Sequence, residues 1–253
     1  MITLSLIGIG TGNLDHLTGQ AIREINRADI VLIPQKGAGK ADLADLRHAI
    51  CAEVLTNPNT KIIGFDLPKR DADTPSYYQG VDDWHDAIAA AWHQAIAQNL
   101  GASGRVALLV WGDPSLYDSS LRISKRLIPA PKVEVVAGLT SLQLLTAAHA
   151  IALNDIGAPV VITTGRQLRD HGWPKGVDTV VVMLDGACAF QTLETKGIDI
   201  WWGAYLGMQN QLLIAGPLEE KGPTILETRA KARQNHGWVM DIYLMRKSPK
   251  VKS

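Results

Sequence analysis

This chain of 253 residues has few cysteines and no formal net charge at pH 7. Its two cysteines, Cys51 and Cys188, form no CxxC pair, so neither a zinc site nor a disulfide framework is indicated. The 25 Lys and Arg residues are balanced by 25 Asp and Glu residues. This balance leaves no basic excess of the kind that binds nucleic acid or an anionic membrane. We therefore expect two buried, reduced cysteines, a cytoplasmic protein, and neither nucleic acid nor membrane as partner.

Long apolar runs and metal-binding spacings are missing as well. No apolar run approaches the roughly 20 residues that a membrane-spanning helix needs. The N-terminal residues 1–4 carry no basic start and no cleavage site, which favours a first strand over a signal peptide. The seven histidines show no HxH or HExxH spacing, and no GxSxG nucleophile elbow occurs. We expect neither a metal site nor a serine hydrolase.

Apolar runs of strand length alternate with stretches of helical period, which predicts a mostly parallel α/β protein. The clearest helix follows Gly80, where apolar residues recur at helical spacing as far as Ile96. The length is sufficient for two lobes with their own cores, and we place the lobes at residues 1–113 and 114–253. The predicted strands are Leu4–Ile9, Ile30–Ile33, Val106–Trp111, Val133–Val136, Val160–Thr163, Val177–Leu184 and Trp238–Leu244.

The first glycine-rich motif, Gly8–Asn13 (GIGTGN), directly follows the first predicted strand. A dinucleotide-binding fold requires G-x-G-x-x-G and an acidic residue after the second strand. Here the sixth position is Asn13, and the second strand ends at Pro34 and Gln35 without a carboxylate. The motif therefore argues against a nicotinamide dehydrogenase. Taken alone, it is equally compatible with a ligand-binding loop and with a plain tight turn.

The second motif, Trp111–Tyr117 (WGDPSLY), follows a fully apolar strand. Asp113 is predicted to cap a helix, with Pro114 as its first residue, where the fixed φ of proline is favourable. Gly112 removes the side chain at the end of the strand, the position where a ligand of a parallel sheet lies. Asp113 could also accept hydrogen bonds from a ligand, so a capping role and a binding role both remain open.

The third motif, Ala137–Ser141 (AGLTS), is another strand-to-helix turn. The hydroxyls of Thr140 and Ser141 could bind a polar ligand or cap the following helix. After the second strand, Lys36 and Lys40 lie at the sheet edge where parallel α/β proteins bind ligands. These two lysines could contact substrate carboxylates or could be solvated.

The three turns, in this order and each after a strand, resemble the tetrapyrrole methylases, whose marks are GxGxG(D/N), GDPxxY and GxTS. The resemblance spans nearly the whole chain. It is closest to the deacetylating branch of that family. Many family members have Pro at the position of Thr11 and Asp at the position of Asn13. The segments that carry the branch resemblance are Ala38–Leu46 (AGKADLADL), Val110–Ser119 (VWGDPSLYDS), Ile162–Arg166 (ITTGR), Val181–Gly186 (VVMLDG), Trp202–Gly207 (WGAYLG) and Gly237–Arg246 (GWVMDIYLMR).

The resemblance implies two α/β lobes of the tetrapyrrole methylase type, with S-adenosylmethionine in the cleft between them. It implies a homodimer of aerobic cobalamin biosynthesis that methylates carbon-1 of precorrin-5 and releases the extruded acyl group as acetate. The first lobe would supply the substrate side and the first cofactor loop, and the second lobe the cofactor side. The residues expected to bind the cofactor are Gly10, Thr11, Trp111, Gly112, Asp113, Tyr117, Thr140, Ser141, Leu184 and Leu206.

Loss of the acyl group requires water to attack a carbonyl, so a base or an oxyanion donor is expected. The candidates are Asp113, Tyr117, Asp185 and Tyr205, and the sequence does not choose among them. The substrate carries many carboxylates, for which the expected partners are Lys36, Lys40, Arg70 and Arg166.

Two alternatives share the cofactor turns. A ribosomal-RNA ribose methylase of the same superfamily should carry a basic excess, which this sequence lacks. A non-catalytic regulatory protein with a degenerate pocket is disfavoured by the intact GDPxxY and GxTS turns.

Overall fold

The chain was analysed as a computed structural model that describes residues 1–35, 42–71, 74 and 76–248. Contacts divide it into two compact units, Met1–Thr140 and Ser141–Ser253. Each unit contains one five-stranded sheet. The two α/β units agree with the predicted fold class.

The first unit is built on a wholly parallel sheet with the strand order β3-β2-β4-β1-β5. The carboxyl ends of β1, β4 and β5 are therefore neighbours, and the three glycine-bearing motifs follow these three strands. Its elements are β1 (Ile2–Gly8), α1 (Gly19–Arg27), β2 (Ile30–Gln35), α2 (Asp42–Val54), β3 (Lys61–Asp66), α3 (Tyr77–Asn99), β4 (Gly104–Val110), α4 (Ser120–Ser124) and β5 (Lys132–Val136).

Both faces of this sheet are covered by helices, which explains why its central strands are mostly apolar. Leu4 and Leu6 point to one face, where they pack in a cluster with Trp92 of α3. Ile7 points to the opposite face and packs in a cluster with Ile25 of α1. The apolar residues that recur at helical spacing in α3 thus belong to the core.

The second unit has a mixed sheet with the order β6-β7-β10-β8-β9, in which only β6 and β7 are parallel. Five of the eight strand pairings in the described chain are parallel, but this sheet departs from the mostly parallel prediction. Here β8 and β9 form a hairpin, and the last strand inserts between β7 and β8. Its elements are α5 (Ser141–Ala148), β6 (Val160–Thr164), α6 (Gly165–His171), β7 (Thr179–Met183), β8 (Ile198–Ala204), β9 (Leu212–Pro217), α7 (Leu218–His236) and β10 (Asp241–Lys247).

All seven predicted strands are present, and three further strands, β3, β8 and β9, were not predicted. Strands β3 and β9 lie at sheet edges and are only partly buried, so neither carries a continuous apolar run. The first sheet also includes β5, which pairs with β1 and lies beyond the lobe boundary predicted after Asp113.

Two local predictions have clear outcomes. Asp113 does not cap a helix: α4 begins at Ser120, with Ser119 at its N-cap, because the carboxylate of Asp113 is used by other backbone groups described below. Cys51 and Cys188 are both buried and unbridged, as predicted, and burial raises the pKa of each thiol to about 11. Among the helices in the described part of the chain, none has the length and apolarity to cross a membrane.

Candidate functional site

Three glycines from the three motifs touch one another at the carboxyl edge of the first sheet. A Cβ atom added to Gly8 would lie 2.6 Å from the Gly138 nitrogen and 2.8 Å from the Gly112 oxygen. A Cβ atom added to Gly138 would approach the Gly112 oxygen more closely still. No side chain fits at Gly8 or Gly138, so these glycines allow the three turns to converge.

Backbone hydrogen bonds join the first turn to the second. The Gly112 N–H donates to the Gly10 carbonyl at 2.7 Å, and the Gly10 N–H donates to the Gly112 carbonyl at 3.3 Å. The Ile9 N–H donates to the Val110 carbonyl at 2.9 Å, which continues the pairing of β1 with β4 into the turns. The backbone of both turns is therefore fixed.

The side chain of Asp113 joins the second turn to the third. Its Oδ2 accepts from the Gly138 N–H at 2.8 Å, and its Oδ1 accepts from the Ser115 N–H at 2.8 Å and the Ser115 hydroxyl at 2.5 Å. Burial opposes ionisation of Asp113, but these three hydrogen bonds outweigh it and hold its pKa below the usual value. Both carboxylate oxygens are thus engaged in shaping the turns.

Gly112 differs from Gly8 and Gly138 in what surrounds it. Its φ of 67° is in the left-handed region, and a Cβ atom added to it would meet no heavy atom within 4 Å. The space beside this turn is therefore open on the side where the parallel sheet presents its ligand edge. This geometry fits the sequence-based expectation that a ligand lies against Gly112.

The remaining predicted cofactor residues of the first unit lie in or directly after the same turns. Thr11 and Thr140 are buried, and Trp111 is partly buried. Tyr117 has a φ of 50° and is 45% exposed. Burial raises the pKa of the Tyr117 phenol, so it is neutral near pH 7 and can donate a hydrogen bond.

Three of the predicted residues lie in two loops of the second unit. Leu184 follows β7 with a φ of 53° and is 67% exposed. Tyr205 follows β8 with a φ of 51°, but it is buried and its hydroxyl donates to the Trp238 carbonyl at 2.7 Å. Leu206 is buried in an apolar cluster that includes Leu145. Of the three, only Leu184 has an exposed side chain. Ser141, the other predicted cofactor residue of this unit, is the first residue of α5 and is partly buried.

Asp185, a predicted catalytic residue, is buried and accepts several hydrogen bonds. Its Oδ2 accepts from the Tyr243 hydroxyl and from the Ala189 N–H, both at 2.6 Å, and its Oδ1 accepts from the Ala187 N–H at 3.0 Å. The geometry suits a structural role in the loop that follows β7.

Of the four predicted substrate-binding residues, the structure describes Arg70 in the first unit and Arg166 in the second. Lys36 and Lys40 lie outside the described residues. Arg70 is exposed, with its guanidinium carbon 5.1 Å from the centroid of the Tyr77 ring. Arg166 is exposed in α6 of the second unit.

Sequence reasoning assigned no role to Arg229 or Asp241, which form a partly buried ion pair with a separation of 2.9 Å between Arg229 Nε and Asp241 Oδ2. One signal was available, since Asp241 is the single charged residue in the apolar run Trp238–Met245. A carboxylate in such a run is usually paired. Within the described part of the chain, no group of three His, Cys, Asp or Glu side chains is arranged to hold a metal ion.

Comparison with known proteins identifies a family and relatives to which this chain is similar. The family described as Tetrapyrrole (Corrin/Porphyrin) Methylases matches residues 3–222. A precorrin-6A synthase [deacetylating] from Sinorhizobium sp is 47% identical over 251 residues, which are 98% of this chain and 96% of that protein.

Two solved structures are also similar to this chain. A cobalamin synthesis related protein (CobF) from Corynebacterium diphtheriae has a TM-score of 0.83 and 37% identity, with coverage of 98% of this chain and 100% of that one. The uroporphyrin-III C-methyl transferase of Thermus thermophilus, complexed with S-adenyl homocysteine, has a TM-score of 0.57 at 17% identity, over 96% of each chain. At that identity the second likeness concerns the fold alone.

Proposed function

The chain belongs to the tetrapyrrole (corrin/porphyrin) methylase family, and we propose that it methylates carbon-1 of precorrin-5 and releases acetate. The product would be precorrin-6A, in aerobic cobalamin biosynthesis. The observation that carries this proposal is the 47% identity to a deacetylating precorrin-6A synthase, which extends over 98% of the chain. A likeness of that length includes all three glycine-bearing turns and both units.

The methyl donor is S-adenosylmethionine, which supplies an electrophilic methyl group on a sulfonium. The turns of the first unit fit such a ligand, because a Cβ atom at Gly112 would point into open space while Gly8 and Gly138 are packed tightly. Gly10, Thr11, Trp111, Gly112, Tyr117 and Thr140 would hold it from the first unit, with Ser141, Leu184 and Leu206 contributing from the second.

For the methyl transfer, the residues of this chain would mainly orient the reactants. The macrocycle is conjugated and electron-rich, so it supplies the carbon nucleophile itself. Alignment of two bound reactants can lower the activation barrier by roughly 7–11 kcal/mol. The fixed backbone of the Gly10 and Gly112 turns suits this role, because each donates a hydrogen bond to the other.

Loss of the acyl group requires stabilisation of the oxyanion that forms when water attacks the carbonyl. Among the four predicted catalytic residues, Asp185 and Tyr205 are buried and Asp113 is partly buried. Tyr117 is the one that is substantially exposed, and its raised pKa keeps the phenol proton in place. We assign the hydrogen bond to the acyl oxygen to Tyr117.

The substrate's carboxylates would be bound by Lys36, Lys40, Arg70 and Arg166. Arginine suits this role through its planar, bidentate donors, and lysine as a point charge. On the family resemblance, we also propose that the protein is a cytoplasmic homodimer. A ribosomal-RNA methylase is the weaker candidate, because the balance of 25 basic and 25 acidic residues provides no electrostatic footprint for RNA.

The decisive experiment is incubation of the purified protein with precorrin-5 and methyl-labelled cofactor, followed by mass spectrometry and acetate detection. We expect one methyl group gained and one acetate released per turnover. Methylation without acetate would instead place the chain in another branch of the family. Methylation of ribosomal RNA, with no reaction of precorrin-5, would contradict the proposal.

A further inference from the structure

The loop after β7 keeps a leucine in an unfavourable backbone conformation. Leu184 has a φ of 53°, in the left-handed region where a residue with a Cβ atom is strained. Its side chain is 67% exposed, so packing within the described structure does little to offset the free energy of this strain. Cys188, four residues later, also has a positive φ of 54°. Strain of this kind persists only where the surroundings enforce it, and it is common at ligand sites.

The carboxylate of Asp185 braces this loop from inside. It accepts from the N–H groups of Ala187 at 3.0 Å and Ala189 at 2.6 Å, so it closes the turn directly after Leu184. The hydroxyl of Tyr243 on β10 donates to the same carboxylate at 2.6 Å. A Cβ atom added to Gly165 would overlap the side chain of Asp185. A glycine at the start of α6 therefore makes room for the brace.

Arg229 of α7 holds the same loop through its backbone. Its Nη2 donates to the Asp185 carbonyl at 3.2 Å and its Nη1 to the Gly186 carbonyl at 3.3 Å. Its Nε donates to Asp241 Oδ2 at 2.9 Å, and that oxygen also accepts from Trp202 Nε1 at 3.0 Å. The guanidinium is thus anchored on the sheet and directed at the two residues that follow Leu184.

Five residues of this network come from segments that carry the branch resemblance: Gly165, Asp185, Trp202, Asp241 and Tyr243. None of these residues, apart from Asp185, has been given a functional role above. They converge on one short loop, in which Leu184 is the large exposed side chain, beside the exposed but small Gly186 and Ala187.

We propose that Asp185 and Arg229 are positioning residues, which hold Leu184 in its left-handed conformation so that its side chain packs against the bound methyl donor. This inference rests on the proposed function, since it takes the loop after β7 to be part of the cofactor site. Neither residue needs to touch the cofactor. Their effect on affinity is transmitted through the backbone of residues 184–186.

A double-mutant cycle separates positioning from general stabilisation. The variants are Arg229→Lys, Leu184→Ala and the combination, with calorimetric affinity for S-adenosylhomocysteine and urea unfolding as the two measurements. Lysine keeps the charge beside Asp241, so the unit should remain folded, but it cannot reproduce the directed bonds to both carbonyls. We expect Arg229→Lys to weaken S-adenosylhomocysteine binding at least tenfold with Leu184 present and less than twofold in the Leu184→Ala background. Its effect on unfolding should be the same in both backgrounds.

Arg246→Lys is the matched control. Arg246 is also a partly buried arginine that donates to two loop carbonyls, those of Ala152 and Leu153, but in a different loop. It should leave S-adenosylhomocysteine affinity unchanged. Equal weakening by Arg229→Lys in both backgrounds, or none in either, would overturn the positioning role while leaving the proposed function standing. Failure of the wild-type protein to bind S-adenosylhomocysteine would contradict both.

Discussion

The carboxylate of Asp113 accepts a hydrogen bond from the backbone N–H of Gly138 at 2.8 Å, across 25 residues of sequence. This bond ties the GDPxxY turn to the GxTS turn, and the same carboxylate also fixes the Ser115 backbone. Asp113 was predicted from the sequence as a helix cap, a cofactor ligand and a catalytic candidate. The structure does not give it the capping role, but shows that its side chain joins two turns.

Replacement of this carboxylate by an amide should cost stability in a pH-dependent way. Hydrogen bonds to a charged group contribute about 1.5–3 kcal/mol each, and Asp113→Asn weakens them by removing the charge. Because the pKa of Asp113 is lowered in the folded state, its contribution is complete above the unfolded-state pKa. It is lost as the pH falls through the folded value.

Urea unfolding of the wild type and of Asp113→Asn between pH 7 and the acid limit of folding should therefore give a difference of at least about 1.5 kcal/mol at pH 7. The difference should shrink below about pH 4, the usual range for an aspartate. Asp66→Asn, at the exposed end of β3, is the control and should change little. A pH-independent difference would show that the charge of Asp113 does not matter to the turns.

Two glycines of the first unit provide a matched pair for locating the cofactor. Gly112 and Gly101 have φ angles of 67° and 68°, and a Cβ atom added to either would meet no heavy atom within 4 Å. Alanine should therefore cost about 1–2 kcal/mol of stability at either position. Only Gly112→Ala places its methyl group beside the converging turns.

We expect Gly112→Ala to weaken S-adenosylhomocysteine binding at least tenfold and Gly101→Ala to leave it unchanged, as measured by calorimetry on proteins with equal melting temperatures. Equal affinities would remove Gly112 from the cofactor site.

The parallel sheet and its three turns could be predicted from the sequence, because the mostly apolar strands β1 and β4 and the glycines that follow them are local signals. It could not predict that Gly8 and Gly138 touch, since their contact depends on the order β4-β1-β5. The antiparallel strand pairings of the second unit could not be predicted from the sequence either. Asp241 is the single charged residue in the apolar run Trp238–Met245, and its partner Arg229 lies on a helix whose sequence is mostly polar.

Lys36 and Lys40 are predicted to hold substrate carboxylates. Each charge-assisted hydrogen bond contributes about 1.5–3 kcal/mol, so replacing both lysines by methionine should raise the KM for precorrin-5 at least tenfold. The affinity for S-adenosylhomocysteine should barely change. Lys61→Met with Lys132→Met is the control, because these lysines begin β3 and β5 at the opposite edge of the sheet. An unchanged KM in the Lys36 and Lys40 variant would mean that both lysines are solvated.

Tyr117→Phe should separate acyl loss from cofactor binding. The phenol is 45% exposed, and its pKa is raised by burial, so it is a neutral hydrogen-bond donor over the whole working pH range. Loss of one donor to an oxyanion typically lowers kcat by about 10²-fold. We expect acetate release to fall by that order, while the affinity for S-adenosylhomocysteine changes less than threefold, because the ring that lines the turn is retained.

The control for this prediction is Tyr78→Phe, which removes the same hydroxyl from a residue that is 83% exposed in α3. It should leave both measurements unchanged. Since Tyr117 acts as a protonated donor in this scheme, its contribution to the rate should be constant at every pH below its raised pKa. A difference between the wild type and Tyr117→Phe that appears only at alkaline pH, where the phenol ionises, would assign Tyr117 the role of a base instead. Normal acetate release by Tyr117→Phe would mean that Tyr117 is not the donor to the oxyanion, and that backbone N–H groups of the turns are the next candidates.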